Sequence, residues 1–174
     1  MSTVPAQLTG WGPLPRLLPA RLFRAEQPGV YLGMAWLLTF FPALALSAIV
    51  STVAGEVAQP TFPFGSWTVF ALVVVFAPIA ETLIMGAALL VLRTFLSPFA
   101  AVLVSAAGWG VAHSLQAPAW GLVIWWPFLI FSSAFLVWRE RSLFGAFALV
   151  SAAHALHNLL PALGLVLAPL RMGG

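Results

Sequence analysis

The chain of 174 residues is 62% hydrophobic and 6% charged, with a mean hydropathy of +1.05, whereas an ordinary soluble domain carries about 25% charged residues. This excludes a water-soluble globular domain and predicts a membrane protein. The net charge of +3 and pI near 11.2 do not indicate a nucleic-acid partner, because the seven basic residues are arginines that punctuate apolar runs, and the absence of cysteine excludes disulfides, thiolate nucleophiles and cysteine metal sites.

In chain order, residues 1–29 hold five prolines and three arginines, Arg16, Arg21 and Arg24, among leucines. That mixture predicts a surface-lying, partly irregular arm in contact with anionic headgroups rather than a span. The apolar run behind it is too long for the core of a cleaved signal peptide. About 20 apolar residues at 1.5 Å rise cross a hydrocarbon core of roughly 30 Å, and on that measure the sequence offers five spans. The first runs from Val30 to Ala54 and the second from Trp67 to Leu92. The third starts at Pro98, behind Ser97 as N-cap, and reaches about His113. Trp120 to Trp138 is the fourth, between tryptophans that suit the interface, and Leu143 to Leu160 is the fifth, broken at Pro161. Residues 162–170 are too short to cross alone, so a sixth crossing would have to be assembled from them. The expected fold class is an all-α, polytopic transmembrane helical bundle of five to six helices, with an arm at 1–29 and a membrane domain at 30–171. Neither an internal repeat nor the inverted repeat of secondary transporters is evident.

With five alternating spans, Arg16, Arg21, Arg24, Arg93, Arg139 and Arg141 fall on one side and only Arg171 on the other. The positive-inside rule then places the arm and the N-terminus in the cytoplasm. The compact, alanine-rich chain points to a bacterial inner membrane.

Four polar groups stand where polarity is expensive. Glu81 lies 12 residues before Arg93, about 18 Å above the arginine-rich end and near the bilayer centre, where a carboxylate costs several kcal/mol unless it faces protein or water. His154 lies about 20 Å in, Asn158 about 26 Å and His113, counted from Pro98, about 22 Å, so three helices bring these groups to one layer. His154 and Asn158 are i and i+4 and project from one helix face, as do Trp109 and His113. His157, at i+3 from His154, points in a neighbouring direction that reaches the same cavity, and is read as a packing residue. Small residues, among them Ala106, Gly108, Gly110, Ser151 and Ala155, allow close helix approach.

Three strings carry a family resemblance: Ala77-Pro78-Ile79-Ala80-Glu81-Thr82-Leu83, Trp109-Gly110-Val111-Ala112-His113 and His154-Ala155-Leu156-His157-Asn158. In this order they resemble the motifs E-E-x-x-x-R, F-x-x-x-H and H-x-x-x-N of the CPBP intramembrane proteases, which include CAAX prenyl-protein endopeptidases and proteins of bacteriocin processing or self-immunity. The resemblance covers a protease-like core at 73–160, about half the chain. It implies that Glu81 activates a water with help from His113, and that His154 and Asn158 stabilise the oxyanion, without metal or cofactor. It also implies that the substrate is a peptide or lipidated protein within the bilayer. The sequence departs from the pattern in three places: Thr82 stands where a second glutamate is usual, Gly86 where the arginine is usual and Trp109 where phenylalanine is usual. Sliding the register by one instead places Ala80 first and Met85 at the arginine position.

Three other readings stay open: a catalytically silent member acting as a membrane interaction or immunity module, a metal or haem site on the histidines and Glu81, and a proton-coupled carrier with Glu81 as relay. The last two leave Asn158 at i+4 from His154 without a task.

Overall fold

A computed structural model describes residues 9–54 and 66–171. Among them the regular structure is helical, in six helices: α1 (Leu14–Leu17), α2 (Pro28–Ala54), α3 (Ser66–Ala71, Leu72–Phe76 and Ala77–Leu92 in one continuous rod), α4 (Pro98–Ser114), α5 (Gly121–Arg139) and α6 (Leu143–Arg171). Four of them, α2, α3, α5 and α6, are long and apolar enough to cross a membrane. The chain is thus an all-α bundle of membrane-protein type. The expected third span exists as α4 and begins at Pro98 as expected, with Ser97 accepting from the Ala100 N–H at 3.2 Å. At 17 residues it measures about 25 Å, a turn short of a full crossing.

One expectation fails at Pro161, because α6 runs through it without a break to Arg171. In water an interior proline costs about 3 kcal/mol or more. In hydrocarbon, ending the helix would strand several backbone groups at several kcal/mol each, so losing one N–H is the cheaper outcome. Pro42 within α2 and Pro127 within α5 are accommodated likewise. Arg171, the arginine assigned to the opposite side, has its side chain outside the described residues.

Helix α5 is the core of the bundle, and every residue from Pro127 to Trp138 is buried. A helix apolar on all faces demands neighbours all round, and α2, α4 and α6 supply most of them. Its two serines are hydrogen-bonded: the Ser105 and Ser132 hydroxyls meet at 2.9 Å across α4 and α5, and Ser133 donates to the Leu129 carbonyl at 2.8 Å. By contrast the outer faces of α2 and α3 present large apolar side chains, Val53 (84% exposed) and Leu83 (56%) among them. Such surfaces are stable where the solvent is lipid.

The arm forms short helical turns rather than a span, and part of it is buried. Its residues 1–8 lie outside the described residues. From Thr9 onward it is built into the end of the bundle, with Trp11, Leu14, Leu22 and Phe23 buried and Trp11 edge-on to Phe23 at 5.1 Å. Gly10, at φ +82°, brings its carbonyl to the Phe99 N–H at 3.0 Å. This left-handed turn suits glycine, and a Cβ there would press into Pro98. The leucines and aromatics between the prolines are enough to bury a small plug. Tyr31, fully buried, donates its hydroxyl to the Leu22 carbonyl at 2.8 Å and holds the arm to α2. Tyr31→Phe should therefore cost roughly 1 kcal/mol, read as a lower unfolding midpoint in detergent.

Candidate functional site

The site begins with Pro78, which has no N–H to give to the carbonyl four residues earlier. One turn before it, residues Leu72–Phe76 widen into a π turn, and the Ala77 N–H reaches the Leu72 carbonyl, an i→i−5 bond. The Val73 carbonyl, inside that turn, accepts from Asn158 Nδ2 of α6 at 2.9 Å. A π turn inserts a residue and so rotates all that follows by about 100°. In this way Pro78 and Asn158 together set the direction in which Glu81, one turn further on, leaves α3. Asn158→Ala should leave the Val73 carbonyl without its partner, at about 1–3 kcal/mol, seen as a lower thermal midpoint than wild type.

Glu81 points toward α6, where its Oε2 lies 3.8 Å from His154 Nε2. That separation is too long for a direct hydrogen bond, and Glu81 Oε2 has no hydrogen-bond partner among the described residues. Both residues line a cavity of about 390 Å³. All four residues expected from the sequence, Glu81, His113, His154 and Asn158, line this cavity.

Each imidazole is held by aromatic neighbours. His154 is 4% exposed and stacks on Phe131 at 4.8 Å, with Phe128 edge-on at 5.4 Å. His113 sits in the last turn of α4, where Nδ1 hydrogen-bonds the Trp109 carbonyl at 2.8 Å. A carbonyl only accepts, so Nδ1 carries the proton and the neutral ring keeps its lone pair on Nε2. Trp120, from the turn that follows α4, meets the same ring edge-on at 4.7 Å. The i, i+4 relation of Trp109 and His113 thus holds through backbone and ring contacts alike. Among the described residues, Glu81's histidine neighbour within 4 Å is His154 rather than His113.

His157 lines the cavity as well, near the edges of Phe40 and Phe131, and its Nδ1 has no partner among the described residues. Its i+3 spacing from His154 was the available signal, and it belongs with the site residues rather than with packing alone. Sequence reasoning missed Gln116 and Trp120, which reach the wall from a connection of short hydrogen-bonded turns between α4 and α5. Nothing in their local pattern pointed to a cavity. Among the described residues no three His, Asp or Glu side chains are grouped to hold a metal ion.

Two of the places where the sequence departs from the resembled pattern, Thr82 and Gly86, are tightly packed. A Cβ on Gly86 would stand 2.6 Å from Phe135 Cζ, so the phenyl ring fills the space an arginine stem would need. Thr82 and Met85 are each 1% exposed. Comparison of the chain with protein-family profiles, with curated proteins and with solved structures returns no match.

Proposed function

We propose that the chain is an intramembrane endopeptidase of the glutamate type, similar to the CPBP proteases, in which Glu81 activates water against a peptide bond. The observation that carries this reading is the pairing of the only acid within the spans with His154 at 3.8 Å, in a cavity whose polar groups come chiefly from the three resembled strings. A water admitted to this cavity, held by the Glu81 carboxylate and by His154, is the nucleophile. The Glu81 carboxylate takes its proton, and the water oxygen bonds to the peptide carbonyl carbon while the carbonyl π electrons move to oxygen. Collapse of the tetrahedral intermediate breaks the C–N bond, and the proton held by Glu81 passes to the leaving amine.

His154, with its proton on Nε2, donates to the developing oxyanion, as does the second N–H of Asn158, whose first is given to Val73. His113 contributes a basic Nε2 from α4. The substrate is a peptide or lipidated protein segment embedded in the bilayer, and the membrane is a bacterial inner membrane with the arm in the cytoplasm. The arginine asymmetry supports that orientation. The test is cleavage of a peptide library by the purified chain in detergent, beside Glu81→Gln and His154→Ala. Turnover that is the same in all three ends the reading.

A second reading rests on Gly86 and Phe135. With the arginine site filled by a phenyl ring, the chain is a silent relative that keeps the bundle as an interaction or immunity module. Glu81→Gln would then retain the cellular phenotype.

A further inference from the structure

Four arginines that take no part in the reaction above converge on one space. We propose that the cavity between the arm and the adjoining ends of α3, α4 and α5 binds a phosphate-bearing anion, either the headgroup of an acidic lipid or a free phosphate. The cavity measures about 820 Å³ and is lined by Arg24 from the arm, Arg93 just past α3, Arg139 at the end of α5 and Arg141 beyond it. Two carboxylates, Glu26 and Glu140, also line it, so four positive charges face two negative ones. Glu140 is spent on its neighbour, 3.3 Å from Arg139 Nε, and is 74% exposed.

Each guanidinium carries five N–H donors, and the protein uses few of them. Among the described residues Arg93 gives one to the Leu96 carbonyl, Arg141 one to the Ala25 carbonyl at 3.1 Å, Arg139 one to Glu140 and Arg24 none. The backbone bonds hold Arg93 and Arg141 in place while leaving their remaining donors to a ligand. Planar forks of this kind match phosphate oxygens two at a time. Location adds to the chemistry, because α3 and α5, both long enough to cross a membrane, end in the wall of this cavity. It therefore opens at headgroup level, where anionic lipid phosphates stand.

The experiment is native mass spectrometry of the full chain released from detergent, titrated with a short-chain phosphatidic acid, with a phosphatidylcholine of the same chains and with inorganic phosphate. Phosphatidic acid should bind roughly tenfold or more tightly than phosphatidylcholine. Arg24→Gln combined with Arg139→Gln should weaken it about fivefold for each arginine. Arg16→Gln combined with Arg21→Gln removes equal charge from the arm outside the cavity and should leave the affinity unchanged. Inorganic phosphate that displaces the lipid, with the same dependence on Arg24 and Arg139, assigns the site to a free phosphate. Failure to displace it assigns the site to a lipid headgroup. Equal weakening in the two double variants overturns the proposal, as does a failure of both phosphatidic acid and phosphate to bind better than phosphatidylcholine.

Discussion

Glu81→Gln should lower kcat/KM for peptide hydrolysis by about 10²–10⁴-fold, the usual contribution of a positioned general base. The amide has the shape of the carboxylate but accepts no proton from water. Because Glu81 Oε2 has no hydrogen-bond partner among the described residues, the substitution breaks no protein hydrogen bond of that atom. It also removes a carboxylate whose burial is costly, so the thermal midpoint should hold or rise while activity falls. That opposition separates a catalytic role from a structural one. Glu81→Asp keeps the base but withdraws it by about one bond length, and misplacement on that scale costs roughly 10²-fold, between wild type and Gln. The measurement is product formation under single-turnover conditions, together with an unfolding curve for each variant. A Gln variant that cleaves at the wild-type rate removes Glu81 from the chemistry, and one that merely unfolds earlier makes it structural.

How far the sequence could be read depended on the range of the interactions involved. Apolar runs bounded by arginines located α2, α3, α5 and the start of α4 to within a residue or two, since span length and charge placement are local properties. Glu81, His113, His154 and Asn158 could be placed in one layer because depth along a rod follows from residue count. Their convergence on one cavity follows from that layer only once the helices are in contact. Pro161 misled because its cost was judged as if water could serve the freed backbone groups. The π turn was not read, although Pro78 lies inside the resembled string, because the turn depends on Asn158, 85 residues away, accepting the role of partner to Val73. The burial of part of the arm was not read for a related reason. Its hydrophobic residues are too irregularly spaced to show a helical face, and only the left-handed turn at Gly10, pinned by the Phe99 N–H, folds them into a plug.

Gly121→Ala should abolish assembly of the native bundle rather than weaken it by a small step. A Cβ on Gly121 would clash with the Gly110 carbonyl oxygen and with Ser114 Oγ. Backbone cannot yield as a flexible side chain can, so α4 and α5 must move apart along a contact that also includes the Ser105–Ser132 pair. Overpacking in a dense interior costs about 1–3 kcal/mol where side chains adjust, and a clash with backbone belongs to the exceptional class above about 4 kcal/mol. The site would go with the fold: His113 lies between Gly110 and Ser114 on α4, and its ring contact, Trp120, directly precedes Gly121. The expected result is a variant that elutes as aggregate or melts at the lowest temperature of all those named, with no peptide cleavage. Gly108→Ala is the control, since a Cβ there meets nothing within 4 Å; it should fold and cleave as wild type does. If Gly121→Ala instead matched Gly108→Ala in both readouts, the close crossing of α4 and α5 would not be what holds His113 and Trp120 against the cavity.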